Sequence, residues 1–149
     1  MSYYVGELMV VKSTIVPDTS VLVDKALSTR IKKGEITPVS VLVHMASLAE
    51  LEHRANENKT IGKVGLDEIK ELRELGKQNG FTLDFVGTRP RAAEIQHAAL
   101  GEIDALIRQI AMENDATLVT SDKVQAAVAD AQGIEVAFDL TQDYLKDAP

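Results

Sequence analysis

Apolar positions along the chain change period repeatedly, from runs that suit strands to three-and-four spacings that suit helices. LMVVKSTIV, residues 8–16, is nearly all apolar or β-branched and predicts a strand near 9–16. Val21, Leu22, Ala26, Leu27 and Ile31 then recur at helical spacing, predicting a helix over 19–32 that Gly34 stops. TPVSVLV gives a second strand near 37–43, followed by a helix over about 46–58. Leu66, Ile69, Leu72 and Leu75 form the stripe of a further helix that Gly80 ends. FTLDFVG (81–87) is a third strand, and the turn TRPR leads into a long helix over about 91–113. TLVTS (117–121) and IEVAF (134–138) are the last strands, separated by the helix of DKVQAAVADAQG.

Strands separated by helices in this way form a parallel sheet covered on both faces. The expected class is α/β, a three-layer α/β/α arrangement around a central parallel sheet of about five strands. No repeat, low-complexity tract or linker interrupts the pattern, so residues 1–149 are expected to form a single domain with its core over about 14–138. The tail 139–149 carries no periodicity to place it.

A chain of 149 residues can bury roughly 68–70% of its unfolded surface, so no staples are required. The absence of cysteine excludes disulfides and thiolate zinc sites, and His44, His53 and His97 form no HExxH pair. MSYYVGELMVVK lacks the basic region and cleavage site of a signal peptide, and no apolar run approaches the roughly 18 residues of a membrane span. These features lead to the expectation of a cytoplasmic protein without membrane contact. A net charge of −7 argues against a broad basic face for nucleic acid. It leaves room for nucleic acid where cations neutralise a local acidic cluster, so the placement of carboxylates matters more than their sum.

In open α/β sheets, ligands bind beyond the carboxyl ends of the strands. Asp18, after IVP, and Asp122, after LVTS, sit at such junctions with hydroxyl neighbours Thr19, Ser20, Thr120 and Ser121. Each alone reads as a helix N-cap, a role that contributes about 1 kcal/mol. Asp104 is harder to explain away. Ile95, Ala99, Ile103, Leu106 and Ile110 form an apolar stripe that Leu100 and Ile107 widen toward it, which puts a carboxylate at the border of a buried face. A pair with Arg108 at i,i+4 would return only about 0.2–0.5 kcal/mol. Glu50 and Glu52 are less specific; Glu50 can pair with Arg54, and periodicity does not decide which of the two points inward. Carboxylates held close raise one another's pKa unless a cation joins them, and Mg²⁺ or Mn²⁺ suits such a hard oxygen site.

Asp18 in IVPDTSVLVD, Glu50 in LAELE, Asp104 in GEIDALIRQIA and Asp122 in LVTSDKVQAAVA resemble, in order and context, the acidic quartet of PIN-domain nucleases. The similarity runs over about 14–138. GTRPRAAEIQHAALGEIDALIR and LAELEHRANENKTIG look like the PIN domain that precedes a PilT-like ATPase and a KH domain in archaeal proteins. The resemblance implies a metal-dependent endoribonuclease that hydrolyses single-stranded RNA with a metal-activated water. It implies Asp18, Asp104 and Asp122 as the main Mg²⁺ or Mn²⁺ carboxylates, with Glu50 completing the cluster. Ser121 would be the hydroxyl partner of the last motif, and Thr19 or Ser20 would orient Asp18. No ATPase or KH segment follows Asp139 in these 149 residues.

RNA would need cationic contacts, and Arg89 and Arg91, in the turn leading to the helix of Asp104, are the best placed of the basic residues. Phe81, Phe85 and Phe138 look like strand core, which gives base stacking little support. Two other readings stand beside the nuclease: a binding or regulatory module of a larger ATPase-containing protein that does not cut, and a homo-oligomerisation domain whose acids are caps and surface pairs. The Leu66, Ile69, Leu72 and Leu75 face could serve the latter or the chain's own core.

Overall fold

The structure is a computed structural model that describes residues 2–4, 11–97 and 101–139. In chain order the elements are β1 (Ser2–Tyr4), β2 (Thr14–Pro17), α1 (Thr19–Val23), α2 (Ala26–Lys32), β3 (Ser40–His44), α3 (Met45–Asn56) and α4 (Thr60–Asn79). They continue with β4 (Thr82–Val86), α5 (Ala92–His97), α6 (Glu102–Glu113), β5 (Thr117–Thr120), α7 (Lys123–Ala131) and β6 (Val136–Asp139). The strands form one sheet in the order β1-β6-β5-β2-β3-β4, with every pairing parallel.

Alternation along the strands divides two cores, because successive residues point to opposite faces. Ile15, Val41, Val43, Val119 and Ala137 pack with α1 to α4 on one face. Val16, Leu42, Leu118, Val136 and Phe138 pack with residues of α6 and α7 on the other. The expected α/β/α layering is therefore present. The five expected strands are joined by a sixth, Ser2–Tyr4, whose register with Ala137–Asp139 is set by a partner far along the chain.

Two long helices of the sequence pattern are broken. The helix expected over 19–32 stops at Val23 and restarts at Ala26, with Lys25 in the left-handed region at φ 56°. The new N-terminus is served from another element: the Ser28 amide donates to Glu68 Oε2 of α4 at 2.9 Å. Glu68 is buried, and that burial raises its pKa. The helix expected over 91–113 is likewise two, α5 and α6, with Gly101 at φ 96° starting the second; residues 98–100, and with them Ala99 and Leu100 of the expected stripe, lie outside the described residues. So do the start of the first expected strand at 9–10 and the tail beyond Asp139. Within α6 the buried face is Ile107, Ile110 and Ala111; Leu106 is 37% exposed and does not belong to it.

The stripe of α4 faces inward: Ile69, Leu72 and Leu75 are buried in the chain's own core, with Leu66 packed against them. α4 lies close to α3 because Gly62 and Gly65 carry no side chain. A Cβ at Gly65 would strike the Leu51 side chain, and one at Gly62 would meet the backbone of Leu51 and Ala55. Phe81 and Phe138 are buried as expected, whereas Phe85 lies on the edge strand β4, is only partly buried and has the Arg73 guanidinium 5.9 Å from its ring centroid.

Candidate active site

β2 has β3 on one side and β5 on the other, and the helices that follow β2 and β5 cover opposite faces of the sheet. A crevice opens where strand order reverses in this way. Pro17 at the end of β2 pairs with Val119 near the end of β5, so Asp18 and Asp122 leave adjacent strands at the same edge. α3 brings Glu50 to that edge, and α6 brings Asp104 in its first turn. A hollow of about 360 Å³ is lined by Asp18, Thr19, Ser20, Glu50, Arg54, Asp104 and Asp122, together with Ile95, Gly101 and Ile103.

The two junction aspartates behave differently. Asp122 is a working cap: its Oδ1 accepts from the amides of Val124 (2.9 Å) and Gln125 (3.1 Å) at the start of α7. Asp18 occupies the cap position of α1 but makes no side-chain capping bond. Its carboxylate turns to other side chains instead. Oδ2 accepts from Ser20 Oγ at 2.9 Å and Thr120 Oγ1 at 2.8 Å, and Oδ1 accepts from Gln125 Nε2 at 3.4 Å.

Burial, then the charge of Asp104, pushes the Asp18 carboxyl up to about 6; hydrogen bonds from Thr120 and Ser20 oppose the rise, and the charge of Asp122 adds to it. Asp104 is raised by burial, then by Asp122 and Glu50, with Arg108 opposing. Glu50 is raised chiefly by burial, lowered by Arg54 and raised again by Asp18. Asp18, Glu50 and Asp104 thus feel the charge of neighbouring acids across the hollow.

Glu50 pairs with Arg54 at 3.8 Å, while its neighbour Glu52 faces away and binds Arg89 at 2.6 Å. Arg108 does not bond Asp104 as its i,i+4 spacing suggested; it donates to Gln125 Oε1 at 2.5 Å and Gln132 Oε1 at 2.9 Å. Arg89 and Arg91 line the neighbouring hollow with His53, Asn56 and Ile95, and Arg91 pairs with Glu94 at 2.9 Å. Ser20 holds Asp18, whereas Thr19 donates to Ser47 Oγ at 3.3 Å. Ser121 donates its hydroxyl to Asp24 Oδ2 at 3.1 Å and its amide to Ser20 Oγ at 3.0 Å. Gln125 and Asp24 are polar partners that sequence reasoning passed over, and Thr120, read there only as a hydroxyl neighbour of Asp122, turns out to hold Asp18.

The donors fit a hard divalent cation in kind: carboxylates and hydroxyls, with repulsion among the acids that a cation would relieve. Among the described residues no three acid or histidine side chains stand close enough together to ligate one ion directly. Mg²⁺ usually keeps several of its waters, and a hydrated ion reaches more widely spaced carboxylates than a bare one.

An acidic ligand edge at the switch point of a doubly wound sheet is the class of site this fold defines. The particular family follows from comparison: residues 15–131 match the PIN domain, and the chain belongs to that family. PIN domains are generally nucleases and generally use divalent metal ions. An uncharacterized KH and PIN-domain containing protein of Methanocaldococcus jannaschii is 35% identical over 134 residues, 90% of this chain and 21% of that protein. The Holliday junction branch migration ATPase PINA of Sulfolobus acidocaldarius is 27% identical over 124 residues, 83% of this chain and 22% of that protein. The chain thus spans about a fifth of the length of these relatives. A solved domain of a functionally unknown protein from Methanocaldococcus jannaschii superposes with a TM-score of 0.80 at 36% identity, covering 84% of this chain and 89% of that one. No helix of the described residues is long and apolar enough to cross a membrane.

Proposed function

We propose that the chain is a Mg²⁺- or Mn²⁺-dependent endoribonuclease acting on single-stranded RNA. The observation that carries this reading is the meeting of Asp18, Glu50, Asp104 and Asp122, from four separate elements, around one hollow at the carboxyl edge of the sheet. Asp18, Asp104 and Asp122 would hold the cation, with Glu50 completing the set. When bound, the cation would lower the pKa of a water and stabilise charge on the phosphodiester oxygens. Ser20 and Thr120 keep the Asp18 carboxylate oriented. Asp122 is fixed by the two amides that it caps. Arg54, which lines the hollow beside Glu50, would meet a phosphate once released from that carboxylate. Arg89 and Arg91 would serve RNA next to the cut, once released from Glu52 and Glu94.

The test is Mn²⁺-dependent cleavage of unstructured RNA by wild type and by Asp104→Asn, with thermal unfolding as the stability control. Removing a carboxylate from this cluster is expected to lower the rate by about 100-fold or more, the scale of loss seen when one preorganised group that stabilises transition-state charge is removed. Equal residual activity in the two proteins would sink catalysis by this site. Single-stranded DNA and a four-way junction, assayed in parallel, decide whether RNA is the preferred substrate.

One observation favours a second reading. Arg54 on this hollow, and Arg89 and Arg91 on the neighbouring one, are already tied to Glu50, Glu52 and Glu94, and among the described residues the acids do not converge tightly. The domain would then bind nucleic acid or regulate an attached ATPase, an arrangement in keeping with the KH-containing and ATPase relatives. A Mn²⁺-induced rise in thermal midpoint without cleavage is its signature. Function in the cytoplasm beside such ATPase and KH partners, with or without self-association, belongs to the same proposal.

A further inference from the structure

Gln125 is almost wholly buried, at 1% exposure, in the first turns of α7. Its side-chain amide is fully engaged in a way that ties the acid edge together. Nε2 donates to Asp18 Oδ1 at 3.4 Å and to the backbone carbonyl of Asp104 at 3.0 Å. Oε1 accepts from Arg108 NH1 at 2.5 Å, and the Gln125 backbone amide donates to Asp122 Oδ1 at 3.1 Å. One residue is therefore bonded to three of the four acidic positions.

The direction of the amide has a cause. A guanidinium can only donate, so Arg108 forces Oε1 toward itself and leaves both N–H groups for Asp18 and the Asp104 carbonyl. The flipped amide would set Oε1 against a carboxylate and a carbonyl, three acceptors with no proton among them. Arg108 is itself steadied by a second bond, from Nε to Gln132 Oε1 at 2.9 Å. The Asp104 carbonyl lies in the first turn of α6, which starts at the left-handed Gly101, so Gln125 anchors the end of the helix that bears Asp104.

We infer that Gln125 is a positioning residue that sets the spacing of Asp18 and Asp104 for a divalent cation, with Arg108 acting through it by fixing the amide's direction. This rests on the metal-dependent reading of the site. Partners that orient metal ligands in other sites change affinity or activity by about 10- to 100-fold when removed, and Gln125 has the geometry of such a partner.

The experiment is Mn²⁺ affinity by electron paramagnetic resonance titration for wild type, Asp18→Asn, Gln125→Met, Arg108→Met and the Gln125→Met/Arg108→Met pair. Folding is checked by thermal unfolding in EDTA, and RNA cleavage is measured alongside. Methionine keeps the length of both side chains and removes their polar ends. Gln125→Met is expected to weaken Mn²⁺ by about tenfold or more, Arg108→Met by a smaller factor, and the pair by no more than Gln125→Met alone. Half-exposed Arg108 provides the reading if Gln125→Met does not fold: Mn²⁺ affinity unchanged in folded Arg108→Met overturns the relay. Additive losses in the pair would overturn the claim that Arg108 acts through Gln125. Wild-type affinity in Gln125→Met, with the expected loss in Asp18→Asn, overturns the positioning role while leaving the metal reading intact. Absence of stoichiometric Mn²⁺ binding by wild type overturns both.

Discussion

Asp18 carries the largest electrostatic cost at the site, being buried beside Asp104 and Asp122 with hydroxyls and an amide as its hydrogen-bond partners. Its carboxyl titrates near 6 in the folded chain against 3.8 in the reference state, so the folded form binds the proton more tightly. Stability from this group is full below pH 3.8 and is lost as pH rises to about 6, costing at most about 3 kcal/mol at neutral pH without a cation. Asp18→Asn should therefore raise the thermal midpoint of the EDTA-treated protein at pH 7.5, while abolishing the rise that Mn²⁺ gives wild type. A lower midpoint in EDTA would show that the Ser20 and Thr120 bonds outweigh the repulsion. Asp18, Asp104 and Asp122 were legible as candidates because they sit at strand-to-helix junctions or on the border of an apolar face, whereas Glu50 could not be told from Glu52 by periodicity and was singled out only by the resemblance to PIN domains. The bonds that Thr120 and Gln125 make to Asp18 were not legible, since they span 102 and 107 positions. The one local signal for Gln125 was its place four residues before Ala129, on the buried side of α7.

β2, β3, β5 and β6 were readable at the scale of elements because almost all their residues are buried between helices, whereas the edge strand β4 is at most half-buried and β1 was not anticipated. The breaks at Lys25 and Gly101 were less so. The first is completed by Glu68, forty positions on, which no local period announces, and the second interrupts an apolar pattern that continues on either side. The α3–α4 contact is specified by absence of side chains. Gly62→Ala would bring a Cβ 2.7 Å from the Leu51 carbonyl oxygen and into the Ala55 backbone. Backbone of a neighbouring helix cannot yield as a side-chain tip does. Urea unfolding should register a loss of about 1–3 kcal/mol or more, the usual cost of overpacking. Because α3 carries Glu50, the same substitution should weaken Mn²⁺ binding as well; an unchanged midpoint and affinity would show that α4 can slide without moving α3.

Across the whole molecule, one buried ion pair fastens the far end of the sheet. Arg30 of α2 grips Asp139 of β6 through Nε (3.1 Å) and NH2 (2.6 Å), and NH1 reaches Glu35 at 3.1 Å. Arg30→Met leaves the Asp139 charge buried without its guanidinium and should cost about 3–5 kcal/mol in urea unfolding; a loss below about 1 kcal/mol would mean that other contacts hold β6. That pairing, like the place of β1 beside β6, was invisible in the sequence, because burial of a charge depends on where the chain returns rather than on its neighbours. The strand order also sets a timetable for synthesis. β3 follows β2 closely in the chain, but the other neighbour of β2, β5, is made about a hundred residues later, with Thr120 standing 102 positions beyond Asp18. Until then Asp18 has neither Asp104 nor Asp122 near it. The acidic edge is therefore complete only once β5 and the start of α7 have joined β2, and any stretch of the chain that stops short of them holds no finished cluster.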